Sequence, residues 1–172
     1  AMRNVKRAIK DRENARYCLK IDIRKFYPSI DHDVLKTIIR RKIKCKDTLA
    51  LLDTIIDSTD GVPIGNYLSQ YFANLMLAYF DHWIKEEKRV RYYFRYADDM
   101  VFLASTKEEL HILLSDIKKY LAALKLTLKG NEQIFPIAEN RADKHGRGLD
   151  FVGFVFYHNQ TLMRLSLIHI SE

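Results

Sequence analysis

The stretch FRYADDMVFLA, residues 94–104, places two adjacent aspartates, Asp98 and Asp99, between an aromatic segment and an aliphatic one. An apolar run of this kind is expected to be buried, and burial of a carboxylate without a partner costs free energy. The pattern predicts two aromatic-rich strands that meet at the aspartates. A lone pair of aspartates between strands is usually a solvated turn, so this dipeptide alone does not indicate catalysis.

A further carboxylate lies upstream in YCLKIDI, residues 17–23. Alternation along this predicted strand places Asp22 on the same face as Lys20. If the strand and the hairpin are neighbours in one sheet, three carboxylates meet at one edge, and such a cluster repels itself unless a cation neutralises it. Carboxylate oxygens are the usual ligands of Mg²⁺, which completes its shell with water and substrate phosphates. The pattern therefore predicts a magnesium site formed by Asp22, Asp98 and Asp99.

Helical periodicity accounts for much of the remaining chain. The strongest amphipathic pattern runs from residue 68 to residue 83, where apolar side chains recur at helical spacing. Asp31 is the predicted N-cap of an earlier helix, and Thr106 with Glu109 has the spacing of a capping box. The other predicted elements are a helical segment in residues 1–16, a strand at Leu126–Leu128, and a strand pair in residues 148–165 with a turn at His158–Gln160.

The order and composition of these elements bound the class of protein. Mixed helices and hairpin-linked strands predict an α+β fold, with a largely antiparallel sheet and helices packed on one face. The 172 residues, 48% of them hydrophobic, are enough for one domain with a fair core. The net charge of +7 suits a polyanionic partner, although it also serves ordinary solubility. Two cysteines and no 18-residue apolar run favour a cytoplasmic protein without membrane contact.

Five motifs occur in order: KIDIRKFYPSI, GVPIGNYLSQYFANLML, FRYADDMVFLA, LKLTLK and FVGF. Together they resemble the palm of reverse transcriptases, in that family's order and at roughly its spacing, over residues 17–156. The resemblance implies an RNA-directed DNA polymerase that uses two Mg²⁺ ions, for which Mn²⁺ can substitute, to transfer dNTPs to a primer 3′-OH. The implied partners are an RNA template, a DNA or RNA primer and dNTPs, with an accessory protein as a further candidate.

The resemblance also assigns roles to single residues. Asp22, Asp98 and Asp99 match the catalytic, metal-binding aspartates, and the carbonyl of Ile23 would add a metal ligand. Tyr27 matches the bulky side chain that occupies the space of a ribose 2′-OH, although aromatic core packing is the alternative for this residue.

Three further groups of residues match the family's motifs. The nucleotide-binding residues would be Phe26, Tyr27, Ile64, Gly65 and Gln70. The primer grip, a hairpin that holds the primer end, would be Phe151, Val152, Gly153 and Phe154. Lys129 is a candidate general acid toward pyrophosphate, and a solvated surface lysine is the equally supported alternative.

The segment IGNYLSQ, residues 64–70, departs from the Gln-Gly-x-x-x-Ser-Pro pattern of retroviral and group II intron enzymes at Ile64 and Gln70. This variant resembles the reverse transcriptases of diversity-generating retroelements, a bacterial or phage group in which the isoleucine accompanies error-prone copying. An isoleucine fills space but cannot hydrogen-bond the nucleotide as a glutamine can. Group II intron, retron and phage-defence enzymes remain alternatives within the class.

The resemblance further predicts how the chain is divided. Residues 1–16 would be a partial fingers segment, residues 17–165 the palm, and residues 166–172 a non-native tail. No thumb is expected, so the isolated chain is expected to polymerise poorly.

Two other functions stay open. A non-catalytic polymerase-like module that binds RNA or a protein would be marked by a replaced metal aspartate, whereas all three are present. A palm-type cyclase would carry its own signature, such as a GGDEF-like loop, and the sequence has none. Protease and P-loop motifs are also missing from the sequence.

Overall fold

The computed structural model describes residues 2–62 and 67–164. The helices in these ranges are α1 (Met2–Ile9), α2 (Phe26–Ser29), α3 (His32–Lys42), α4 (Lys46–Ile56), α5 (Tyr67–His82), which continues as a π-helix over Trp83–Glu87, and α6 (Lys107–Ala123). The strands are β1 (Tyr17–Asp22), β2 (Tyr92–Tyr96), β3 (Asp99–Ala104), β4 (Gln133–Pro136), β5 (Leu149–Phe151), β6 (Phe154–Phe156) and β7 (Thr161–Met163). None of the helices described has both the length and the apolar content that a membrane crossing requires.

Four strands form an antiparallel sheet in the order β2-β3-β1-β4. The register of β1 and β3 places Tyr17 opposite Ala104 and Asp22 opposite Asp99. β2 forms a hairpin with β3, and β4 pairs with the other side of β1. The predicted α+β fold with a largely antiparallel sheet is confirmed.

One face of this sheet, which carries Ile21 and Phe102, packs against helices α2 to α6. Because side chains alternate along a strand, every second residue of β1 and β3 points to this side. The buried side chains that α5 and α6 contribute include Phe72, Met76, Leu77, Phe80, Leu110, Ile117 and Leu121. We refer to this cluster as the helix-side core.

The opposite face, which carries Cys18, Val101 and Leu103, packs against α1 and a second antiparallel sheet of order β5-β6-β7. Leu149 and Phe156 from that sheet help to complete a second hydrophobic cluster. The helices therefore lie mainly on one face, as predicted, while α1 and three short strands cover part of the other. This cover explains why Cys18 is fully buried, although alternation puts it on the face with Lys20 and Asp22.

The predicted helix starts are confirmed in their main contacts. The Asp31 carboxylate accepts a hydrogen bond from the Val34 amide at 3.0 Å, and the Thr106 hydroxyl accepts one from the Glu109 amide at 3.3 Å. The Glu109 carboxylate accepts a hydrogen bond from the Ser105 hydroxyl, so it does not close the reciprocal half of a capping box.

The strand predicted at Leu126–Leu128 is wrong. Leu128 forms only an isolated bridge to Ile23, and the fourth strand of the sheet is β4, residues 133–136. Pro136 lacks a backbone donor, which argues against a strand in the sequence. In the structure β4 is an edge strand, where a proline is tolerated.

Candidate active site

A polar cavity of about 370 Å³ lies where β1 and β3 emerge from the second hydrophobic cluster. We call it the carboxylate pocket. Its lining residues are Lys20, Ile21, Asp22, Asp98, Asp99, Asn131, Gln133, Phe135, Arg147, Gly148 and Asp150. The three aspartates singled out in the sequence therefore lie around one cavity, between the four-stranded sheet and the start of β5.

Backbone geometry brings these aspartates together. Asp22 ends β1 and Asp99 begins β3, and the antiparallel register makes them direct neighbours. Asp98 lies in the turn before β3. The turn also contains Ala97, whose φ of 51° is left-handed, a conformation that is unusual for a residue with a side chain. The strand pairing and the left-handed Ala97 thus fix the backbone positions of the three aspartates.

The carboxylates are partly removed from water, and this changes their protonation. Burial raises the pKa of the Asp98 carboxyl, and the neighbouring charges of Asp22 and Asp99 raise it further. Burial also raises the pKa of Asp99, although Lys20 acts in the opposite direction. Raised pKa values of neighbouring carboxyls in one cavity are typical of a site that concentrates negative charge for a function.

Two lysines contact the aspartates. The Lys20 ammonium lies 3.3 Å from Asp99 Oδ2 and donates a hydrogen bond of 2.6 Å to the Asp150 carbonyl. The Lys129 ammonium lies 3.2 Å from Asp22 Oδ2, and the Lys129 amide donates to the Asp22 carbonyl at 2.9 Å. Lys129 is thus close to the carboxylates, as the candidate general acid must be, and its role stays a prediction.

Sequence reasoning missed two cations of this pocket. The strand alternation that puts Lys20 on the same face as Asp22 could have indicated that Lys20 lies near the carboxylates. Its contact with Asp150 could not be predicted in this way, because the two residues are 130 positions apart in the sequence. Arg147 lines the pocket, donates a hydrogen bond of 2.6 Å to the Gln133 side chain and lies 4.4 Å from the centre of the Phe135 ring. No local pattern marks such a residue, because its neighbours come from another strand.

The donor set fits a hard divalent cation. All three side chains supply oxygen, and Asp99 Oδ1 is buried without a hydrogen-bond partner among the described residues. Within residues 2–62 and 67–164, however, no three His, Cys, Asp or Glu side chains form a ready-made metal cluster. Mg²⁺ commonly takes only one or two carboxylates and keeps several waters, so a pair from this set is sufficient.

Of the predicted nucleotide-binding residues, Phe26, Tyr27 and Gln70 lie apart from the pocket lining. Phe26 is 2% exposed and belongs to the helix-side core, so only its backbone is available to a nucleotide. Tyr27 is half-buried, and its carbonyl accepts a hydrogen bond from the Val62 amide at 3.0 Å. Gln70 is exposed on the first turn of α5. Ile64 and Gly65 lie outside the described residues.

The predicted primer grip is a tight hairpin. Val152 and Gly153 have φ values of 46° and 82° and form the two-residue turn between β5 and β6. Both positive values match the turns that suit the twist of antiparallel strands. Phe151 is buried, whereas Phe154 is half-buried. The turn predicted at His158–Gln160 joins β6 to β7, so this region has three strands rather than two.

A sequence profile of the reverse transcriptase (RNA-dependent DNA polymerase) family matches residues 1–131, well over half of the chain. The chain belongs to the reverse transcriptase family. No curated protein matched this reverse transcriptase-family sequence in a separate search.

Solved telomerase structures share the fold of this reverse transcriptase-family chain. Apo telomerase from Candida tropicalis, truncated from its C-terminal domain, is 16% identical with a TM-score of 0.69, over 95% of this chain and 40% of that one. Telomerase from Candida albicans, in complex with the TWJ fragment of telomeric RNA, is 12% identical with a TM-score of 0.70, over 95% of this chain and 35% of that one. At these identities the likeness concerns the fold alone. The chain spans two fifths or less of those structures.

Proposed function

We propose that this chain carries the catalytic centre of an RNA-directed DNA polymerase, which adds dNTPs to a primer 3′-OH on an RNA template. One observation carries the proposal: in a chain of the reverse transcriptase family, Asp22, Asp98 and Asp99 line a single cavity. Partial burial of these carboxylates costs desolvation free energy. The non-catalytic alternative gives no functional reason for that cost, whereas metal binding does.

The residues of the pocket divide the chemistry between them. Asp22, Asp98 and Asp99, with the Ile23 carbonyl, would hold two Mg²⁺ or Mn²⁺ ions. When bound, such ions activate an attacking hydroxyl and stabilise the departing pyrophosphate. Lys129, held against Asp22, would donate a proton to the pyrophosphate.

The substrate would lie between the pocket and the start of α5. The Tyr27 ring would occupy the space that a ribose 2′-OH needs and so favour dNTPs. The Phe26 backbone, Ile64, Gly65 and Gln70 would contact the nascent base pair. The hairpin of residues 151–154 would hold the primer end, and its strand β5 already reaches the pocket through Asp150.

We further propose that the enzyme is an error-prone polymerase of a diversity-generating retroelement, in the bacterial cytoplasm. The support is the sequence IGNYLSQ, in which Ile64 and Gln70 replace residues of the common motif. An isoleucine at this place cannot test nucleotide position through a hydrogen bond. A group II intron, retron or defence-type enzyme is the alternative, and an accessory protein is a further candidate partner.

Primer extension on an RNA template with Mg²⁺ and dNTPs, followed by sequencing of the products, tests the proposal. Wild type is compared with Asp98→Asn and with Asp57→Asn, a matched variant whose carboxylate pairs with Lys36 on the surface. Slow extension is expected in wild type and Asp57→Asn, and none is expected in Asp98→Asn. Frequent misincorporation would support the subgroup, and accurate products would refute it. Equal extension by all three proteins would refute the proposed catalytic site.

A further inference from the structure

A largely buried arginine lies behind the turn that carries Asp98. The Arg95 side chain is 12% exposed, and two of its nitrogens bind both carboxylate oxygens of Asp81 on α5. Nε donates to Asp81 Oδ1 at 2.9 Å, and Nη2 donates to Asp81 Oδ2 at 2.6 Å. This two-pronged contact between a guanidinium and a carboxylate is both strong and directional, so it fixes the plane of the Arg95 head group against the helix.

The remaining nitrogen of Arg95 reaches the turn of Ala97 and Asp98, which we call the catalytic turn. Nη1 donates to the Ala97 carbonyl at 3.1 Å and to the Asn74 side-chain oxygen at 3.2 Å. Ala97 has a left-handed φ of 51°, which residues with a Cβ adopt at a cost. The guanidinium therefore holds the carbonyl of a strained residue that directly precedes Asp98.

The acidic partner of Arg95 is itself fixed. The Tyr93 hydroxyl donates to Asp81 Oδ1 at 2.7 Å, and burial raises the pKa of Tyr93, so this hydroxyl keeps its proton. Asn74 and Asp81 are seven residues apart, and Gln70 is four residues before Asn74, so all three lie along one side of α5. Arg95 thus connects the catalytic turn to the helix side that begins at a proposed nucleotide-binding residue.

We propose that Arg95 is a positioning residue that couples α5 to the catalytic turn, by holding the left-handed conformation of Ala97 and with it the direction of Asp98 and Asp99. The inference rests on the proposed polymerase function for its effect on rate. The contact between Arg95 and Ala97 is testable without activity.

The kinetic test compares steady-state incorporation of one dNTP by wild type, Arg95→Lys and Arg91→Lys, below the thermal midpoint of each. Lysine keeps the charge but cannot bind Asp81 and Ala97 at once. Arg95→Lys is expected to lower kcat by about 10–100-fold, with KM for the dNTP changed less than about threefold. Arg91 is the control, because its side chain is 65% exposed and lies 3.6 Å from Asp11, and wild-type kcat is expected there. A wild-type kcat in Arg95→Lys would overturn the proposal.

An unfolding cycle provides the second test, in urea and without substrate. It combines Arg95→Met with Ala97→Gly, since glycine adopts a left-handed φ without penalty. The fold-change that Arg95→Met causes in the unfolding constant is expected to be about fivefold smaller in the Ala97→Gly background. Equal fold-changes in both backgrounds would overturn the coupling. If wild type fails to extend primers while the cycle shows coupling, the proposed function fails and the Arg95–Ala97 contact stands.

Discussion

The two faces of the four-stranded sheet have opposite characters, although the same strands build both. On the helix-side face, Leu19, Ile21, Met100 and Phe102 of β1 and β3 are apolar and at most 1% exposed. The opposite face begins apolar at Cys18 and Val101 and becomes charged at Lys20, Asp22 and Asp99. Because alternation separates the faces residue by residue, one strand can build a core and a polar site at once.

This difference helps to explain how the carboxylates are held in place. Burial on the helix side fixes the backbone of β1 and β3. Because Asp22 and Asp99 belong to the same strands, this burial also fixes their backbone positions on the other side. Asp99 Oδ1 has no hydrogen-bond partner among the described residues. The residue stays in place because strand pairing, and not a contact of this oxygen, fixes its backbone. The helix-side face should therefore control stability, and the charged face should control activity.

The largest effect is expected from Asp22→Asn on the charged face. Losing one carboxylate should lower the rate of primer extension by about a thousandfold or more, which is roughly 4 kcal/mol of transition-state stabilisation. The thermal midpoint should stay close to that of wild type, because Asp22 lies outside both hydrophobic clusters. Rate and midpoint are measured on the same preparation. An intact rate, or a large fall in the midpoint, would contradict the division between the faces.

The converse change on the helix-side face is Phe102→Ala. Phe102 is fully buried and stacks on Tyr93 with ring centres 4.8 Å apart, so its removal should leave a cavity in the helix-side core. The free energy of unfolding should fall by about 3–5 kcal/mol, as measured by urea denaturation. A loss below about 1 kcal/mol would mean that this face can repack and does not set the stability of the sheet.

Lys20→Met should have a smaller effect, which involves both stability and metal binding. It leaves the Asp99 carboxylate without its ammonium partner, so the metal-free protein should lose about 1–2 kcal/mol of unfolding free energy. Added Mg²⁺ should then raise the thermal midpoint of the variant more than that of wild type, because the ion no longer competes with Lys20. Lys118→Met is the matched control, since Lys118 is 53% exposed and its partner Glu132 does not line the carboxylate pocket. Identical Mg²⁺ responses in wild type and Lys20→Met would refute this role.

The smallest effect is the contribution of Asp98 to the pH dependence of stability. Its pKa is raised above the ordinary 3.8, so folding favours the protonated carboxyl and wild type loses stability as pH rises through the raised value. Asparagine does not titrate. The stability of Asp98→Asn relative to wild type should therefore increase from about pH 3 upward and then level off, in urea denaturation with a chelator present. A constant or decreasing difference would show that the raised pKa is wrong.

Local signals in the sequence were sufficient for much of this fold. The Asp31 cap, the helix after Thr106 and the hairpin at Asp98 each follow from residues within one or two turns of each other. These features depend on neighbours in sequence, and the structure keeps them. The antiparallel pairing of β1 with β3 joins residues about 80 positions apart, and the sequence supported it only as the condition under which the three aspartates would meet.

Features that depend on distant neighbours were missed. The strand was predicted at Leu126–Leu128 instead of at β4, because the partner that fixes β4 at the sheet edge is the distant strand β1. Lys20 contacts Asp150, and Arg95 contacts Asp81. Both partners are distant in sequence, so no local pattern predicts either contact. The family motifs pointed to the carboxylates but not to the residues that hold them.

The most direct test of the central claim is Mn²⁺ binding, followed by electron paramagnetic resonance, to wild type and Asp99→Asn. If the carboxylate pocket is a divalent-cation site, wild type should bind Mn²⁺ saturably, and Mg²⁺ should displace the Mn²⁺. Asp99→Asn should bind at least about tenfold more weakly. An absence of saturable binding in wild type, or equal affinity in the variant, would contradict the claim.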